Sequence, residues 1–116
     1  PILDRAYSAL IDDLSDRGML DDTLLIAMGE FGRTPKISNR AAREHHKDCY
    51  FSIWAGGGIE PGRVIGESDA KAEHPITRPI TPLQVGTTIA ELCGIGARKR
   101  AEMKVLDGGS VIHELI

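Results

Sequence analysis

The sequence predicts an α/β fold, and three observations carry that expectation. Two short, continuous apolar runs occupy residues 23–28 and 50–55. Amphipathic helical patterns occupy residues 2–17 and 81–93. The resulting order of helix, strand, loop, strand, loop and helix favours a mainly parallel sheet flanked by helices. Runs this continuous in apolar residues suit strands covered on both faces, as interior parallel strands are.

The totals bound what such a chain can do. Its 116 residues, 41% hydrophobic and 27% charged, suffice for a single globular domain, residues 1–116. The 14 basic and 17 acidic side chains leave a net charge of −3, so no cationic footprint points to nucleic acid or an anionic membrane. No apolar run approaches the roughly 20 residues that cross a bilayer. The chain starts at Pro1, inside a helical pattern and without an initiator Met, which suggests a piece of something longer. Cys49 and Cys93 adjoin apolar segments and read as reduced core residues.

Each element has its own signals. Leu3, Ala6, Leu10 and Leu14 recur at helical spacing, and Gly18 is placed to end that helix. Gly29 ends the first strand. From Glu30 to Lys47 no period holds, and Gly, Pro, Asn, Arg, Glu and His make a long loop. After the second strand, the Gly56-Gly57-Gly58 run reads as a tight turn rather than a phosphate cradle, because no helix start follows it. Residues 63–66 suit a short extra strand and residues 67–80 a polar loop. Thr81, Pro82 and Gln84 form the start signature of the last helix, with Leu83, Thr87, Ala90 and Cys93 on its inner stripe. The basic residues 96–104 read as a solvated connection. Residues 105–116 suit a terminal strand or hairpin.

In open α/β sheets ligands bind beyond the carboxyl ends of strands. The segment from Gly29 to Asp48 leaves from such an end. Glu30 and His45 are of the residue types that ligate zinc, calcium or similar divalent ions. Arg33 and Arg43 suit bidentate contact with a sulfate or phosphate oxyanion. A plain polar loop, with Glu30 paired to Arg33, accounts for the same residues. His45 and His46 are adjacent and so point in different directions. His74 and His113 read as surface residues.

Several motifs together resemble the DUF1501 family of sulfatase-like proteins. They are the run from Asp22 to Pro35, Arg43-Glu44-His45-His46, the run from Phe51 to Ile59, Gly62-Arg63-Val64-Ile65-Gly66, Arg78-Pro79-Ile80-Thr81-Pro82 and Leu106-Asp107-Gly108-Gly109. The resemblance implies an alkaline-phosphatase-like αβα sandwich, of which this chain is the C-terminal portion. It implies a metal-dependent hydrolase of sulfate or phosphate esters, with Glu30 and His45 near metal-ligand positions and the nucleophile elsewhere. It also suggests export to the periplasm. Two departures stand out. Glu30-Phe31 replaces the superfamily's Asp-His pair, and the family's Gly-Arg-Asp-His-Trp landmark reads Ala42-Arg43-Glu44-His45-His46. They make a non-catalytic module for sulfated or phosphorylated glycans the alternative expectation. A third expectation is a structural segment that self-associates through open strand edges.

Overall fold

The structure is a computed structural model describing residues 2–116. Helix α1 spans Ile2–Asp16 and ends as the sequence predicts. Gly18 adopts a φ of +65°, its N–H reaches Ser15 O, and the Met19 N–H reaches Leu14 O. That pair of bonds satisfies the last carbonyls of the helix, and glycine takes the left-handed position without a Cβ penalty. Only Leu14 of the expected inner stripe is buried, while Leu3 and Leu10 are 56% and 42% exposed. Tyr7 fastens the helix to the strands by donating its hydroxyl towards Leu25 O (3.3 Å) and Ile53 O (3.4 Å). Burial raises that phenol's pKa.

The strands correct the expected architecture. β1 (Leu25–Met28) and β4 (Ser52–Ala55) pair antiparallel, with Leu25 opposite Ala55 and Met28 opposite Ser52. β2 (Gly32–Arg33) and β3 (His45–His46) form a second antiparallel pair. The described residues thus hold two separate two-stranded sheets and no extended parallel sheet, so the alkaline-phosphatase-like αβα sandwich is not their fold. The connection between β1 and β4 explains the difference. A parallel pair needs a crossover, usually a helix. Here the connection is the β2–β3 hairpin, which turns the chain back on itself and returns β4 beside β1 in the opposite sense. Continuous apolarity does not mean double coverage either, since Met28 and Ile53 are 48% and 39% exposed.

After β4 the glycine run makes the turn expected of it. Gly56 has a φ of +68°, and a Cβ there would come within 2.4 Å of Leu20 O and Thr23 O. The Gly57 N–H bonds Leu20 O at 2.9 Å, so the run docks on the 3-10 turn Leu20–Asp22. Residues 63–66 form no strand. Residues 67–76 fold into a short antiparallel loop, bridged at Ser68 and Pro75.

Helix α2 (Pro82–Leu92) carries the expected capping box: Thr81 Oγ1 accepts from Gln84 N, and Gln84 Oε1 accepts from Thr81 N. Its best-buried positions are Thr87 and Thr88, whereas Cys93 is exposed and Leu83 is 39% exposed. The threonines return their hydroxyls to Leu83 O and Gln84 O, and Thr88 Oγ1 accepts the buried Ile112 N–H at 2.9 Å. This polar seam joins α2 to the C-terminal segment. Residues 96–104 are more than a connection, because Ala97–Met103 forms helix α3. Its Arg100 is buried, pairs with Glu91 and also donates to Ile95 O. The chain closes with a 3-10 turn, His113–Leu115, in place of the expected strand or hairpin.

Leu14 and Ile112 are the buried hydrophobic residues among those described. The accessible surface is 8558 Å² for 12.6 kDa. A compact monomer of that mass exposes about 6,200 Å². The radius of gyration, 16.4 Å, likewise exceeds the ~13 Å of a compact chain this long. The molecule is a flat body, 48 × 37 × 22 Å, with a thin core. No helix among the described residues is long and apolar enough to cross a membrane.

Candidate functional site

The segment expected to be a long loop without a period is an ordered hairpin. Beyond β2 and β3 the arms stay joined: Thr34 N–H bonds Glu44 O at 3.0 Å, and Glu44 N–H bonds Thr34 Oγ1 at 3.1 Å. Ser38 N–H reaches Ala42 O, and Ala41 turns the tip with a φ of +54°. Gly32 is required where the base of the hairpin passes the chain beyond it. A Cβ there would lie 2.0 Å from Cys49 O.

The hairpin then brings three side chains together. Arg33 and His45 are cross-strand partners. Phe31 sits at the bend that leads into β2, beside this pair. The Phe31 and His45 rings stack with centroids 3.8 Å apart at 30°. The Arg33 guanidinium carbon sits 5.4 Å from the Phe31 centroid, within cation–π range. Arg33 and His45 are exposed and Phe31 is half-buried. The result is a surface row of cation, phenyl ring and imidazole. Of the expected site residues the structure brings Arg33 and His45 together, and it adds Phe31 between them.

Arg43 has another job. Its Nη1 donates to Thr34 O (2.7 Å) and Pro35 O (2.6 Å), bracing one arm of the hairpin against the other. Both hydrogens of that nitrogen are thereby used, and Nε and Nη2 have no hydrogen-bond partner among the described residues. Glu30 lies in the turn between β1 and β2, exposed, with no ion pair to Arg33 or any other described residue. Among the described residues no group of three or more His, Cys, Asp or Glu side chains is arranged to hold a metal ion. Glu30 and His45 supply two donors at most, short of the three protein ligands of a catalytic zinc site.

The opposite side of the hairpin carries a cluster the sequence did not reveal. His46 Nε2 lies 2.9 Å from Glu73 O, and His74 Nδ1 lies 3.8 Å from Asp48 Oδ2. Asp69 collects the backbone N–H groups of Lys71, Glu73 and His74, which hold its carboxyl below the usual range. Hydrogen bonding from Lys47 is the main influence lowering the Asp48 carboxyl. Burial, with Asp69 and Asp48 nearby, raises the Cys49 thiol, so it lacks the character of a reactive thiolate. The local signal for this loop was Asp69 heading a short polar stretch, the pattern of an aspartate that caps its own turn.

A family model described as "Protein of unknown function (DUF1501)" matches residues 1–116. The chain belongs to the DUF1501 family. No curated protein and no solved structure shows a significant match. The match confirms the family that the motifs resembled, and the family's description assigns no activity. Within this DUF1501 chain the hallmark run from Asp22 to Pro35 includes β1, β2 and two members of the surface row. The second landmark supplies the third member, His45, and the brace, Arg43.

Proposed function

We propose that this DUF1501 chain is a recognition element for sulfated or phosphorylated ligands, glycans foremost, and that the Phe31–Arg33–His45 row is its contact surface. One observation carries the reading: an exposed guanidinium held beside two stacked rings on a braced hairpin. A guanidinium meets sulfate or phosphate oxygens with two parallel hydrogen bonds. The outer face of the exposed His45 ring, at the end of the stack, suits the apolar face of a sugar, and bracing by Arg43 lowers the ordering cost of binding. The remaining N–H groups of Arg43 extend the anion contact along the hairpin. In a binding assay with a sulfated disaccharide, Arg33→Gln is expected to weaken affinity about tenfold, the effect of one lost charge-assisted pair. Equal affinity for the desulfated sugar would sink the reading.

Hydrolysis of such esters is the second reading, supported by the family's sulfatase-like motifs. It draws on Glu30 and His45 as ligands of a divalent metal, together with donors beyond this pair. Its test is release of 4-nitrophenol from 4-nitrophenyl sulfate and phosphate with added zinc or calcium. Turnover abolished in Glu30→Ala and His45→Ala supports hydrolysis, and absence of turnover leaves recognition alone.

The uncovered Leu3 and Leu10 of α1, with Met28 and Ile53 on the open strands, further support self-association of the chain.

A further inference from the structure

A cleft of about 440 Å³ lies far along the chain from the hairpin, between residues 63–66, residues 77–80 and the terminal turn. Its volume falls within the range of small-molecule sites. Two guanidiniums converge on it. Arg63 Nη1 donates to Glu114 O at 3.2 Å, and Arg78 Nη2 donates to Glu114 Oε1 at 3.0 Å. Val64, Ile65 and Ile80 supply apolar wall. Gly66, with a φ of +86°, and the bond from Glu67 N–H to Thr77 Oγ1 at 3.0 Å fix the two segments side by side.

Apart from one contact of Arg63 to Glu60, the other N–H groups of both arginines have no partner among the described residues. Arg63 pairs with the Glu60 carboxylate and Arg78 with that of Glu114, and each guanidinium keeps further N–H groups to offer a ligand. Val64 is 94% exposed beside them, an arrangement that stabilises nothing within the chain. A carboxylate already rests in the cleft, and it is the protein's own. Glu114 sits on a short terminal turn and is half exposed, so an outside carboxylate can compete with it.

We propose that this cleft binds a small organic carboxylate with an apolar tail, its head on Arg63 and Arg78 and its tail along Val64, Ile65 and Ile80, displacing the Glu114 side chain. The site is separate from the hairpin row and stands or falls independently of it.

Titration calorimetry and amide chemical shifts with hexanoate, acetate and 1-hexanol test the proposal. Saturable binding is expected for hexanoate, weaker binding for acetate and none for 1-hexanol, with shifts at residues 63–66, Thr77, Arg78, Ile80 and Glu114. Arg78→Gln should weaken hexanoate about tenfold, and Glu114→Gln should tighten it by removing the internal competitor. Val64→Asp alters an exposed position that the fold does not need, and it should abolish the advantage of hexanoate over acetate. Arg33→Gln should change none of this. The proposal is overturned if hexanoate fails to saturate, if it binds no better than acetate, or if Arg78→Gln and Val64→Asp bind it like the parent chain.

Discussion

Single residues decide how the hairpin and its neighbouring loop are held. Arg43 braces two carbonyls on the opposite arm, so Arg43→Ala removes two charge-assisted bonds and frees the tip. The exposed setting limits the cost to about 1–2 kcal/mol, measured as a lower midpoint of thermal unfolding. Faster amide exchange at Ser38 and Ala41 should accompany it. Asp69 gives a pH dependence whose sign is fixed. Its carboxyl is lowered in the folded chain by three backbone N–H donors. The stability it contributes is therefore present above the ordinary aspartate value of ~3.9 and is lost as pH falls through its lower folded value. Amide exchange at Lys71, Glu73 and His74 should accelerate below that point, and Asp69→Ala should show the acid behaviour at neutral pH. At this scale the sequence was partly legible. Arg33 and His45 stood out by chemistry. Phe31 did not, because an aromatic beside a strand reads as core until its neighbours are known. His74 was invisible as a partner because its neighbour, Asp48, is distant in sequence.

Among the elements, α2 and the C-terminal segment act as one unit through Thr87, Thr88, Gly109 and Ile112. A Cβ on Gly109 would sit 2.0 Å from Thr87 Oγ1, so Gly109→Ala forces the two apart. A loss of about 1–3 kcal/mol is expected from such overpacking. Thr88→Val keeps the shape but strands the buried Ile112 N–H, at a cost of about 1–3 kcal/mol. Chemical denaturation of both variants checks these values, and an unchanged midpoint for either would contradict the seam. The C-terminal end of α1 and the start of α2 were readable beforehand because Schellman turns and capping boxes are local chemistry. Strand direction was not, because it depends on what the connection does, and a two-residue strand pair leaves almost no periodic trace. Helix α3 was hidden for a different reason. The basic residues of 96–104 look solvated, yet burial of Arg100 against Glu91 and Ile95 O anchors that helix.

For the whole molecule, the thin core and surplus surface set the behaviour. A flat body with two buried hydrophobic residues among those described cannot draw much stability from its own interior. The isolated chain is expected to elute earlier with rising concentration in size-exclusion chromatography, and Leu10→Glu should suppress that shift by charging the bare stripe of α1. A concentration-independent monomer would remove the case for association. The functional reading is less sensitive to this, because the hairpin carries its own bracing and its row of side chains already faces solvent.

The measurement that bears most directly on that reading is a chemical-shift titration of the chain with a sulfated disaccharide and its desulfated counterpart. Recognition by the hairpin predicts saturable shifts for the sulfated sugar at Phe31, Arg33 and His45, absent for the desulfated one and lost in Arg33→Gln. Shifts that do not saturate, that ignore the sulfate, or that survive the loss of Arg33 would contradict it.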